Sequence, residues 1–127
     1  MQVKLSSIRA LFETVFCPII LLTLGFLPAQ VLGQSDAEFF SHEIRPIMER
    51  TCWNCHGEAV KSSGLDLSTR EAALEGGNRG PAIVPGNAEQ SRLFRQLAGL
   101  EGPQMPLGVP LADEDVEKFR VWINNGA

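Results

Sequence analysis

Residues 52–56 read Cys52-Trp53-Asn54-Cys55-His56, two cysteines separated by two residues with a histidine directly behind the second. Four chemistries use a CxxC pair: a disulfide, a thioredoxin-like redox centre, half of a zinc site and a haem anchor. A disulfide here would close a loop too short to restrict the unfolded chain much. A thioredoxin-like centre stands in a βαβ context, and no strand pattern precedes Cys52. A structural zinc ion takes four ligands, whereas Cys52, Cys55 and His56 supply three. The other histidine, His42, lies on the preceding helix, and the chain has no second CxxC pair.

The flanking sequence is helical and loop-rich. SDAEFFSHEIRPIMERT (35–51) places Phe40, Ile44, Ile47 and Met48 on one helical face, with Ser35 or Asp36 as cap. Pro46 removes the hydrogen bond to the His42 carbonyl, which predicts a kink. After the pentapeptide comes a polar stretch with too few apolar residues for a strand pair. Ser68-Thr69-Arg70-Glu71 reads as a capping box opening a short helix that Gly76-Gly77 stops. Asn78 to Gly86 is a loop, and Asn87 should cap a helix over Ala88 to Leu97. Residues 98–110 are too rich in Gly and Pro to be regular. DEDVEKFRVWINNG (113–126) is amphipathic, with acids in its first turn and Val116, Phe119, Trp122 and Ile123 on the buried face. The class is all-α, with three to five short helices and long loops.

The N-terminal segment differs from the rest. Lys4 and Arg9 precede the apolar run VFCPIILLTLGFL (15–27), followed by PAQVLGQ. That order describes a secretory signal peptide over 1–33, cut after Gly33, with the domain over 34–127. An uncleaved anchor is the competing reading. A spanning helix wants about 20 apolar residues, and this run is shorter and carries Pro18. Under either reading the domain is exported, to the periplasm or to the outer face of the cytoplasmic membrane. Membrane contact is expected only if the segment stays uncleaved. Cys17 lacks the small preceding residue of a lipoprotein signal and reads as apolar filler. The chain of 127 residues has a net charge of −4, so no nucleic-acid footprint is evident.

The domain is short of a core for its size, by about one large apolar object. This shortage, export and the missing zinc ligands together favour the fourth chemistry. CxxCH is the attachment signature of haem c, with two thioethers and an axial histidine. One turn between the sulfurs lets both reach one porphyrin edge while His56 swings under the iron. Three residues compete for the sixth ligand. Met48 reads as core and His42 as a surface residue. Met105 stands alone in a Gly/Pro loop with no helix face to pack into, and a soft thioether there suits iron.

The order of these elements resembles a mono-haem class I c-type cytochrome, and within that group the planctomycete-type cytochrome c domain. The resemblance runs over nearly all of 39–127: FFSHEIRPIMERTCWNCHG, then SGLDLSTREAALEGGNRGPAIVPGNAEQSRLF, then QMPLGVPLADEDVEKFRVWINNGA. It implies a cytochrome c-like fold wrapped around one covalently attached haem. Cys52 and Cys55 take the thioether positions, His56 the proximal and Met105 the distal ligand. It further implies that the first and last helices cross, bringing Phe40 and Ile44 near Phe119, Trp122 and Ile123. A Gly-Pro carbonyl would accept from the proximal imidazole; Gly80-Pro81 is the matching pair here, with Pro85 as a rival. The chain departs from the pattern at Ala112, where a capping Ser or Thr is usual, and at Leu107.

These readings describe an electron carrier rather than an enzyme. Its electrons pass through the thioether edge near Cys52 and Trp53 to a redox partner protein, unless Trp53 is plain packing. Two alternatives stand beside it. One is a sensor or peroxidase-like module with a labile Met105, for which Arg79 and Arg92 are the available cations. The other is a haem docking module separated from a larger exported enzyme.

Overall fold

The computed structural model describes residues 35–127. The expected signal peptide, its cut after Gly33, and Cys17 lie outside the described residues. Helix α1 covers 36–51 as three continuous segments: Asp36–Phe39 and Arg45–Thr51 are α-helical, and Phe40–Ile44 between them is a π turn. Ser35 caps it, its hydroxyl accepting from the Glu38 N–H at 3.3 Å. In the π turn the Arg45 N–H donates to the Phe40 carbonyl, five residues back. Pro46 follows at once. Widening the turn before it relieves the clash its ring would make with the His42 carbonyl, so the expected kink takes the form of a π turn.

Helix α2 is Arg70–Glu75. Its cap is Thr69, whose hydroxyl accepts from the Ala72 N–H at 3.2 Å, not Ser68 as the capping-box pattern suggests. Ser68 is occupied elsewhere: its N–H and hydroxyl both donate to Asp66 Oδ1, at 2.8 and 2.6 Å. Gly76 stops the helix at φ +84°, where any Cβ would overlap the Gly80 carbonyl.

Helix α3 is Arg92–Leu97, four residues shorter at its start than the pattern suggests. Asn87 does cap, but it caps a separate turn, its Oδ1 accepting from the Gln90 N–H at 3.0 Å. Ser91 is extended and fully buried, and its hydroxyl accepts from the Val84 N–H and donates to the Asn87 carbonyl, both at 2.8 Å. Those local bonds compete with helix and delay its start.

Helix α4, Asp113–Asn124, has no side-chain cap, since Ala112 holds the cap position. Asp113, Glu114 and Asp115 in the first turn offset this through the helix dipole. Asn125 and Gly126, the latter at φ +115°, end the helix.

The core joins Ile44, Ile47 and Met48 of α1, Leu93, Phe94 and Leu97 of α3, and Phe119, Trp122 and Ile123 of α4. Helix α4 packs on the π turn of α1 and on α3. The Phe40 ring meets Trp122 at a centroid distance of 5.4 Å, and Phe119 stands edge-on to Trp122 at 6.1 Å. Lys118–Glu43 (3.2 Å) and Arg50–Asp115 (3.3 Å) flank that crossing. Among the described residues there is no strand, and two isolated bridges, His56–Lys61 and Gly77–Gly80, are the extent of β pairing. The arrangement is all-α.

Candidate haem site

Helix α1 delivers the pentapeptide. Cys52 closes it, donating its N–H to the Met48 carbonyl at 2.8 Å. The chain then turns back: the N–H groups of Cys55 and His56 both donate to the Cys52 carbonyl, at 3.1 and 2.8 Å. The turn brings Cys52, Cys55 and His56 onto the wall of one cavity. Its return limb is fixed by the next loop, where Ser62 N–H donates to the Cys55 carbonyl and Leu67 N–H to the His56 carbonyl, both at 2.8 Å. Gly57 has little choice of side chain, because a Cβ there would lie 2.5 Å from the Trp53 carbonyl oxygen.

The cavity measures about 440 Å³ and sits where the sequence is short of a core. Met105 lines it as well, so two thiols, an imidazole and a thioether face one space. Leu65, Leu67, Ala82, Leu93 and Leu97 supply much of the remaining wall. The loop bearing Met105 is held to α3 by its own backbone, the Met105 N–H donating to the Gln96 carbonyl at 3.0 Å. Gln96 also donates from its side chain to the Pro103 carbonyl at 3.2 Å.

The two thiols differ. Cys52 is buried and Cys55 exposed, and they are not joined as a disulfide. Burial pushes the Cys52 thiol up from its ordinary pKa, partly opposed by the Thr51 hydroxyl 3.4 Å away. His56 Nδ1 is buried without a hydrogen-bond partner. In this structure that Nδ1 does not donate to the Gly80, Pro81 or Pro85 carbonyl; Gly80's carbonyl accepts from the Gly77 N–H at 3.2 Å, and Pro81 and Pro85 are exposed. Gly80 lines the cavity, but Pro81 does not. Trp53 does not line it either. Its indole N–H donates to the Leu67 carbonyl at 2.9 Å, which pins the following loop behind the site.

The competing ligands lie elsewhere. Met48 is 1% exposed in the core, and His42 is exposed on α1. Among the described residues no group of three His, Cys, Asp and Glu side chains is disposed to hold a bare metal ion. Two lining residues carry no local sequence pattern, Arg79 and Arg92. Both reach Glu101: Arg79 Nη2 lies 3.0 Å and Arg92 Nε 3.1 Å from Oε1, while Arg95 Nε lies 3.2 Å from Oε2. Only the fold brings these residues from three segments into contact.

A flat, largely apolar group anchored by two sulfurs fits a cavity with this donor set. Helices around such a cavity, entered by CxxCH, define a haem-binding cytochrome. The planctomycete cytochrome C family model matches residues 52–106, from the first cysteine of the pentapeptide through the Met105-Pro106 pair. The match supports a planctomycete-type cytochrome c domain over those residues; the all-α arrangement is consistent with a cytochrome c-like fold, and haem c and iron are what that family implies. Neither the curated proteins nor the solved structures compared gave a match.

Proposed function

We propose that the chain is an exported carrier of single electrons, with one haem c held by Cys52 and Cys55 and ligated by His56 and Met105. The observation that carries this reading is the convergence of those four side chains on one apolar-walled cavity. Attachment needs no oxidant: each thiol adds its S and H across a vinyl group, and nothing leaves. When bound, haem supplies a one-electron Fe(III)/Fe(II) couple. The chain's own residues tune that couple. Met105 sulfur and the leucine-lined wall both favour the reduced state and raise the potential. His56 would hold the iron from a turn tied down at both ends, so little in the protein need rearrange on electron transfer. Cys55 is the exposed member of the pair and offers the contact edge to a redox partner protein. Interfaces of that kind are small and transient.

The peroxidase-like alternative would draw on Arg79 or Arg92. Both guanidinium groups are committed to Glu101, which supports the carrier reading. The oxidised protein should show the near-infrared methionine–iron charge-transfer band and lose it in Met105→Ala. Absence of the band in the parent protein overturns His/Met ligation.

A further inference from the structure

Glu101 stands four positions before Met105, and its carboxylate is where three guanidinium groups meet. Arg92 and Arg95 come from α3, to which the Met105 loop is already tied by backbone bonds from Leu100, Glu101 and Met105. Arg79 comes from the loop after α2, across the cavity rim, and no backbone hydrogen bond joins that loop to the 98–106 stretch. Arg92 knots the two together, donating from Nη1 to the Arg79 carbonyl while its Nε faces the Glu101 carboxylate. That Nε is buried, and the carboxylate lies off its N–H direction, so the contact is electrostatic rather than a hydrogen bond. The Glu101 side chain is 22% exposed. A partly buried carboxylate shared by three cations is a network, the case in which ion pairs count for more than isolated exposed ones.

We propose that Glu101 is a positioning residue for Met105: its ion pairs latch the methionine loop to the opposite rim and set how readily an outside ligand replaces the thioether. The inference rests on the His/Met reading above. It predicts that the barrier to ligand exchange is electrostatic, hence sensitive to salt, rather than a matter of loop packing alone.

The test is titration of the oxidised, haem-loaded full chain with imidazole, following the shift of the Soret band, which parent and variants alike report. Glu101→Gln should bind imidazole about tenfold more tightly than the parent, equivalent to about 1.4 kcal/mol. Glu101→Asp should fall between the two. Glu117→Gln, which removes the pair with Arg120 on the outer face of α4, should leave the affinity unchanged. Raising salt should bring the parent toward Glu101→Gln and barely move the variant. If Glu101→Gln binds imidazole within twofold of the parent while Met105→Ala binds far more tightly, the latch is overturned and the His/Met reading stands. If Met105→Ala also matches the parent, the ligand assignment fails and takes the latch with it.

Discussion

Phe119→Ala should be among the most damaging single changes outside the proposed haem ligands. Phe119 is 0% exposed, stands edge-on to Trp122 at 6.1 Å, and belongs to the face of α4 that packs on α1. Truncation removes the ring and leaves a hole that the crossing helices cannot close, at a cost of about 3–5 kcal/mol. A domain of this size holds about 5–14 kcal/mol in total, so about a fifth or more of its stability rests on this ring. The assay is urea unfolding of the haem-loaded protein followed by far-UV circular dichroism. With a slope near 1.5 kcal/mol/M, the midpoint should fall by about 2–3 M. Phe119→Leu, which keeps most of the volume, should lose less than about 1.5 kcal/mol. Val121→Ala, on the same helix but 38% exposed, should stay within about 0.5 kcal/mol of the parent. A loss below about 1 kcal/mol for Phe119→Ala, at unchanged slope, would refute the claim that this crossing holds the domain together.

Gly57→Ala should cost about 1–3 kcal/mol and lower the yield of haem-loaded protein, because its Cβ meets the Trp53 carbonyl at 2.5 Å and must displace the turn carrying His56; yield and thermal midpoint check it. Asp66 is held down to about 2 by the Ser68 hydroxyl and N–H and by Lys61, below the ordinary carboxylate value that it regains on unfolding. Its contribution is therefore fully present above about pH 4 and lost as pH falls toward 2. Unfolding midpoints measured from pH 5 to 2 should drop for the parent and be flatter for Asp66→Asn.

Much of this molecule could be read from its residues because the decisive signals are local. CxxCH, the 3.6-residue spacing of Val116, Phe119 and Ile123, and the stopping power of Gly76 need no knowledge of distant segments. Where local patterns competed, the other bonds and clashes of the same side chains decided. Ser68 looked like a cap but gives its hydrogen bonds to Asp66, so Thr69 caps instead. Asn87 capped a turn because buried Ser91 is claimed by Val84. Pro46 bent α1 by widening a turn that the sequence marks only as a kink. Arg79, Arg92 and Glu101 had no local pattern at all, since each matters only beside the others. Met105 stood out for the opposite reason, as an apolar side chain alone in a Gly/Pro loop, and the fold places it on the cavity wall, packed against the core.

The most direct test of the account is the state of Cys52 and Cys55 in the purified protein. Haem should stay with the chain through acidic organic extraction, give the haem c spectrum in alkaline pyridine, and leave neither thiol free to alkylate. Haem that extracts freely, or two titratable thiols at Cys52 and Cys55, would contradict it.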